Sequence, residues 1–348
     1  MRIAYVGCRT TRERNARGKG LKVYGISDRG VWEERQLLDL QNPSYQCLDQ
    51  TGRYLYSVHG DGYEVSAYAI DQRDGKLSLI NKLSIEGRNP VFITVDKENR
   101  FVYVASLQGG SVHVLPRRPD GGLGQALHRF RAPGKSGETI SHVHQCLFSH
   151  NHNYLFAPAQ GRVVGYAEVN VLRPKPDGSL KLTQCWKARE YAEPRHIAMH
   201  PNDHWAYLVN EKDNTIVYFA FDQEQGLLEP LQVLPVLPDT YTGPGQASAM
   251  LVSPDGRHAL VSNRLHDSIS VFRIDQHTGY LYTHDNLHCL GQTPRFMCFS
   301  PEGNQLLVAN EDSDTIRVFD YHMDSGRLTF ADQTILTESP TCITFLDI

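Results

Sequence analysis

The stretch ASAMLVSPDGRHALVSN (247–263) is echoed 47 residues later by PRFMCFSPEGNQLLVAN (294–310), and this pair decides the fold. Each copy reads as a short alternating apolar strand, a polar turn such as Ser253-Pro254-Asp255-Gly256-Arg257, and a second strand of the L-x-V type. Working outward, the same pattern starts at Pro43, Pro90, Val143, Pro194 and, truncated, at Pro340, with 46 to 53 residues between starts. A third strand follows each pair, as in ISVFRI (269–274), and a turn then leads to a fourth, leucine-containing strand. Four antiparallel strands per unit make the blade of a β-propeller. The 42 residues before Pro43 and the nine from Pro340 onward together make one more repeat length. The sequence therefore predicts an all-β, seven-bladed β-propeller with almost no helix, a single domain over residues 1–348. The C-terminal strand is expected to be the innermost strand of the N-terminal blade, closing the ring.

Composition narrows the function classes. Of 348 residues, 40% are hydrophobic and 21% charged, which suits a globular core and not a disordered chain. Lys plus Arg number 35 against 39 Asp plus Glu, a net charge of -4, so no overall basic field draws the protein to nucleic acid or to anionic lipid. No apolar run approaches the roughly 20 residues of a membrane span, and Met1 to Gly7 lead straight into a strand pattern with no signal-peptide core. The seven cysteines (Cys8, Cys47, Cys146, Cys185, Cys289, Cys298, Cys342) are scattered and never spaced Cys-x-x-Cys, which argues against a disulfide framework and a zinc knuckle. The expectation is a reduced, cytoplasmic protein that needs no metal and no cofactor, there being no Gly-rich turn opening a helix either. Closed blades leave no edge demanding a partner, so a monomer is expected.

Blade geometry says where chemistry can occur. The first strand of each blade lines the channel and the second returns antiparallel beside it, so the start of the first and the end of the second share one face. The residue after each repeat start reads Ser44, Val91, His144, Arg195, Ser248, Arg295 and Thr341, and the ends of second strands include Gln160, Glu211, Arg264 and Glu311. His144, Arg195, Glu211 and Arg264 are thus aimed from three successive blades at one mouth, where packing alone would prefer apolar residues. Arg295, Glu311, Asn210 and Asn263 complete the candidate set as substrate contacts. Asn210, Asn263 and Asn310 also suit the bland role of tying down loops, and Glu211 could simply neutralise Arg195. Alternation along a strand favours His144 over His142, puts His196 on the face opposite Arg195, and leaves His200 at the far turn. The basic loop between Arg9 and Lys19 should rise on the same face, either to recruit an anion or as a solvated segment.

The segments EPRHIAMHP (193–201), YLVNEKDNTI (207–216), SPDGRHALVSNRLHDSISVF (253–272) and TPRFMCFSPEGNQLLVANEDSDTIRVF (293–319), with SHVHQC (141–146) before them, resemble the lactonase family of seven-bladed propellers. That family holds bacterial 6-phosphogluconolactonases and eukaryotic 3-carboxy-cis,cis-muconate lactonizing enzymes. The resemblance implies that His144, Arg195, Glu211 and Arg264 correspond to the family's active-site set. The expected function is hydrolysis of an anionic sugar lactone, with His144 or Glu211 as base, Arg195 as clamp for the oxyanion or carboxylate, and Arg264 as anion anchor. Two alternatives stand beside it: a carboxymuconate cycloisomerase using the same residues, and a non-catalytic propeller that binds a metabolite or a protein.

Overall fold

The computed structural model describes residues 1–348. Seven sheets of antiparallel strands follow one another round a ring, and a single 3-10 turn at Arg12–Arg14 is the one helical element. Blade 1 combines Pro340–Asp347 as its innermost strand with Arg2–Cys8, Gly20–Ile26 and Trp32–Asp39. Blades 2 to 7 run in chain order, with innermost strands Pro43–Leu48, Pro90–Val95, His142–Val143 with Leu147–Phe148, Pro194–Met199, Gln246–Val252 and Pro294–Phe299. The expected closure is present: Tyr5 lies opposite Thr344, and Arg2 opposite Asp347, with which it also forms an ion pair at 2.9 Å.

The blades hold together through apolar layers that neighbours share. Tyr154, Phe156, Val169 and Val171 of blade 4 interleave with Ile197, Ala206, Leu208 and Phe219 of blade 5 in one buried cluster. Both faces of the middle strands are therefore covered, which is why runs such as LLVA (306–309) there are continuously apolar instead of alternating. The turn at the far end of each first hairpin is set by residues such as Gly256, at φ +72, where the Ser253 carbonyl accepts from the Gly256 N–H at 2.8 Å. A Cβ there would come within 2.6 Å of His200 Nε2, whose ring nitrogen bonds the Gly256 carbonyl at 2.9 Å. His200 thus lies at the far turn, as expected.

Two departures from regular pairing shape the channel mouth. In every blade but the fourth the register of the inner strand slips within its first residues, for example between Pro194 and His196, between Pro294 and Phe296, and between Pro340 and Cys342. Such a bulge lets consecutive side chains point the same way. In blade 4 the inner strand is interrupted between Val143 and Leu147, although the repeat pattern is continuous there. Pro158 faces the gap: its carbonyl accepts from His144 N–H at 2.9 Å, but proline has no N–H to return the bond.

Candidate active site at one mouth of the channel

Six of the seven residues that follow a repeat start, Ser44, Val91, His144, Arg195, Arg295 and Thr341, line one small cavity at the channel mouth together with Arg9 and His196. Ser248 is the exception. Its carbonyl accepts from Arg195 Nη1 at 2.7 Å and its hydroxyl donates to the Arg295 carbonyl at 2.9 Å, so it braces two arginines from behind. The cavity measures about 20 Å³, room for a single water. Below it the channel widens to about 550 Å³ between mainly apolar walls that include Tyr45, Phe92, Ile197 and Phe296, with no Asp, Glu, Lys or Arg among them.

The charged groups form two matching bridges. Glu211 Oε2 lies 3.3 Å from Arg195 Nε in its own blade, and Oε1 lies 3.2 Å from Arg264 Nη2 in the next. Glu311 repeats this two blades on, 3.4 Å from Arg295 Nη1 in its own blade and 3.2 Å from Arg9 Nε in blade 1. Four guanidinium groups therefore face two bridging carboxylates, and Asp61, which approaches Arg9 at 3.2 Å, is itself gripped by Arg14. Arg195, Arg264, Glu211 and Arg9 are all buried. Buried ion pairs of this kind contribute little net stability because desolvation offsets the attraction. Arg9, Arg195 and Arg295 line the small cavity, whereas Arg264, Glu211 and Glu311 stand behind them and do not.

Glu211 is saturated. Gln160 Nε2 donates to Oε2 at 2.8 Å and Gln246 Nε2 to Oε1 at 2.9 Å, in addition to the two arginines. Burial alone would push its pKa up, but Arg264, Arg195 and the Gln160 bond outweigh burial and hold it at about 2. His144 lies at the other extreme: burial first, then Arg195, His196 and Arg295, depress its pKa well below 6.5, so its imidazole is neutral at physiological pH. Its Nδ1 is buried with no hydrogen-bond partner. Arg195 is disfavoured as a charge by burial and by Arg264, and Glu211 compensates part of this.

His196 corrects the sequence reading. It lies on the same side as Arg195, not the opposite one, with Arg195 Nη1 3.3 Å from His196 Nε2 and the His144 and His196 ring centroids 5.2 Å apart. The register slip at Pro194/His196 cancels the alternation that had separated them. Asn210 and Asn263 are turned into their own blades: Asn210 Nδ2 donates to Thr215 Oγ1 at 2.9 Å, and Asn263 Nδ2 to Ser268 and Ser270 hydroxyls at 3.1 and 2.8 Å. Arg9 was not singled out from its loop, yet it follows Cys8 at the end of a second strand and so belongs to the same column as Gln160, Glu211, Arg264 and Glu311. The loop it opens is pinned to the mouth by Arg9, Arg14 and Arg17, the last pairing with Asp314 at 2.6 Å.

Comparison with known proteins agrees with this architecture. The family model described as "Lactonase, 7-bladed beta-propeller" matches residues 3–345. A 6-phosphogluconolactonase of Bacillus subtilis (strain 168) is 32% identical over 354 residues, covering 99% of this chain and 98% of the relative. A 6-phosphogluconolactonase of Formosa agariphila is 28% identical, covering 80% and 81% of the two chains. Among solved structures, the periplasmic gluconolactonase of Pseudomonas aeruginosa superposes with a TM-score of 0.90 at 28% identity, covering 100% of this chain and 99% of the other. With a repeat count, a ring closure and a family match that run the length of the sequence, the chain belongs to the lactonase family of seven-bladed β-propellers.

Proposed function

We propose that the protein hydrolyses an anionic sugar lactone of the 6-phosphogluconolactone type at this mouth. The observation that carries the reading is the neutral His144, its buried Nδ1 without a partner, beside two Glu-bridged arginine pairs. His144 is the base: it accepts a proton from water as the water oxygen bonds to the lactone carbonyl carbon. Arg195, with Arg264, stabilises the resulting oxyanion. The tetrahedral species collapses with cleavage of the ring C–O bond, and the imidazolium returns its proton to the departing ring oxygen. Glu211 holds no proton to give at neutral pH, and both its oxygens are engaged, so its work is to orient the two guanidinium groups. Arg9 and Arg295 supply further positive potential for the substrate's anion.

The chain is proposed to act as a monomer. The free state of all seven cysteines suits the cytoplasm, although the Pseudomonas relative bears a periplasmic name. The test is pH-stat titration of purified protein with 6-phosphoglucono-δ-lactone, glucono-δ-lactone and 3-carboxy-cis,cis-muconate. Acid release from the phosphorylated lactone above its spontaneous rate supports the reading. Turnover of the muconate alone would replace hydrolysis with cyclisation, and no turnover of any of the three would leave a binding protein.

A further inference from the structure

The cavity beside His144 has room for only one water, so a sugar lactone must lie mostly elsewhere. An open cleft of about 600 Å³ begins at Glu211 and Gln246 and runs outward over the junction of blades 4 and 5, past Arg162, Val163, Tyr191 and Glu193. The last four also line a further pocket of about 250 Å³, whose outer wall carries Tyr166. The two spaces form one groove leading away from the ring of arginines.

Three features of the groove call for a ligand. Arg162 is anchored twice, its Nε donating to Gln160 Oε1 at 2.9 Å and its backbone N–H to Glu193 Oε1 at 2.9 Å, yet no carboxylate lies within ion-pair distance of its guanidinium. Of the lysines along the groove, Lys135 pairs with Glu190 and Lys187 with Glu168, while Lys212 beside Glu211 forms no ion pair and adds a second positive charge to the inner cleft. Glu193 is buried and its Oε2 has no donor. Arg162, Val163, Tyr191 and Glu193 all sit at positive φ, between +44 and +73, and Val163 and Tyr191 expose 67% and 57% of their surface. Left-handed backbone at a β-branched residue is strained, and large apolar groups held out in this way are suited to contact.

We propose that this groove is the subsite for the body of the substrate, a polyhydroxylated ring bearing an anionic substituent, with Arg162 anchoring the anion, Tyr191 and Val163 packing on the ring, and Glu193 accepting from a hydroxyl. The inference rests on the lactonase reading for the identity of its ligand. It also gives Gln160 a second function: its amide accepts from Arg162 Nε and donates to Glu211 Oε2, so the anion anchor and the arginine bridge are joined through one side chain.

The test is calorimetric binding of two ring-opened acids, 6-phosphogluconate and gluconate, to wild-type protein and to Arg162→Gln, Arg162→Lys and Glu193→Gln. Wild type should prefer the phosphorylated acid. Arg162→Gln should weaken 6-phosphogluconate at least tenfold while changing gluconate less than threefold, Arg162→Lys should recover part of the loss, and Glu193→Gln should weaken both acids. Equal weakening of both acids by Arg162→Gln, no weakening of either, or no preference in wild type overturns the proposal. Lactone turnover is read separately. Arg162-dependent phosphate selectivity without turnover sinks hydrolysis and keeps the subsite, whereas turnover with selectivity untouched by Arg162→Gln does the reverse.

Discussion

Arg9, from the start of the chain, is held 3.2 Å from Glu311 of the last full blade, and the pair reproduces across the blade 7/blade 1 boundary what Glu211 and Arg264 do across blades 5 and 6. The closing seam of the ring is therefore part of the charged mouth. Arg9→Gln removes a charged hydrogen-bonding group from a buried site while leaving Glu311 its contact with Arg295, and should cost about 1.5–3 kcal/mol. Denaturant unfolding measures the loss, and KM for an anionic lactone should rise with it.

Glu211→Gln has a larger expected effect. The amide cannot neutralise Arg195 and Arg264, which are then buried against each other, and breaking such a pair costs about 3–5 kcal/mol. The loss depends on pH with a definite sign. Since the folded pKa of about 2 lies below the ordinary 4.5, the carboxylate stabilises the fold fully above pH 4.5 and loses this contribution as pH falls from there through 2. The stability gap between wild type and Glu211→Gln should accordingly be widest at neutral pH and narrow across that window in urea titrations.

His144→Gln should lower kcat by about 10²–10⁴ with little change in melting temperature, as expected for removal of a base. In the free enzyme its pKa lies well below 6.5, so kcat/KM should stay flat down through pH 6, where an ordinary histidine would already be half protonated or more. An anionic substrate offsets Arg195 and Arg295, two of the groups that depress it, so the acid limb of kcat should lie at higher pH than that of kcat/KM. Paired pH–rate profiles with phosphorylated and plain lactone distinguish this from a spectator histidine, for which the two limbs would not separate.

Gly256→Ala serves as the opposite control. The new methyl meets His200 Nε2 at 2.6 Å and the residue must keep φ +72, so the variant should lose about 1–3 kcal/mol. The turn lies at the far end of the blade from the charged mouth, and turnover below the melting transition should match wild type.

Repeat spacing was enough to read the ring and its closure because seven copies of the strand pattern average out local irregularity. The charged cluster was legible too: aligning the copies brought out Arg195, Glu211, Arg264, Arg295 and Glu311 from charge at two fixed columns, and the structure brings them together as ion pairs. What escaped was set by backbone detail. His196 was misplaced because a slip of one residue after Pro194 is silent in a pattern of alternating side chains. The break beside His144 came from Pro158, a residue on the neighbouring strand whose missing donor matters only once register is known. Arg9 was hidden in a run of basic residues, and Gln160, uncharged, offered no reason to be chosen until its amide was found between Arg162 and Glu211.

The strand Pro340–Asp347 zips against Arg2–Cys8, and its Thr341 walls the same cavity as Arg9. During synthesis the first strand must wait with a bare inner edge until residue 347 has left the ribosome. No partly made chain can carry the finished charged mouth, and any nonsense mutation ahead of Pro340 removes a wall of its cavity as well as the clasp of the ring.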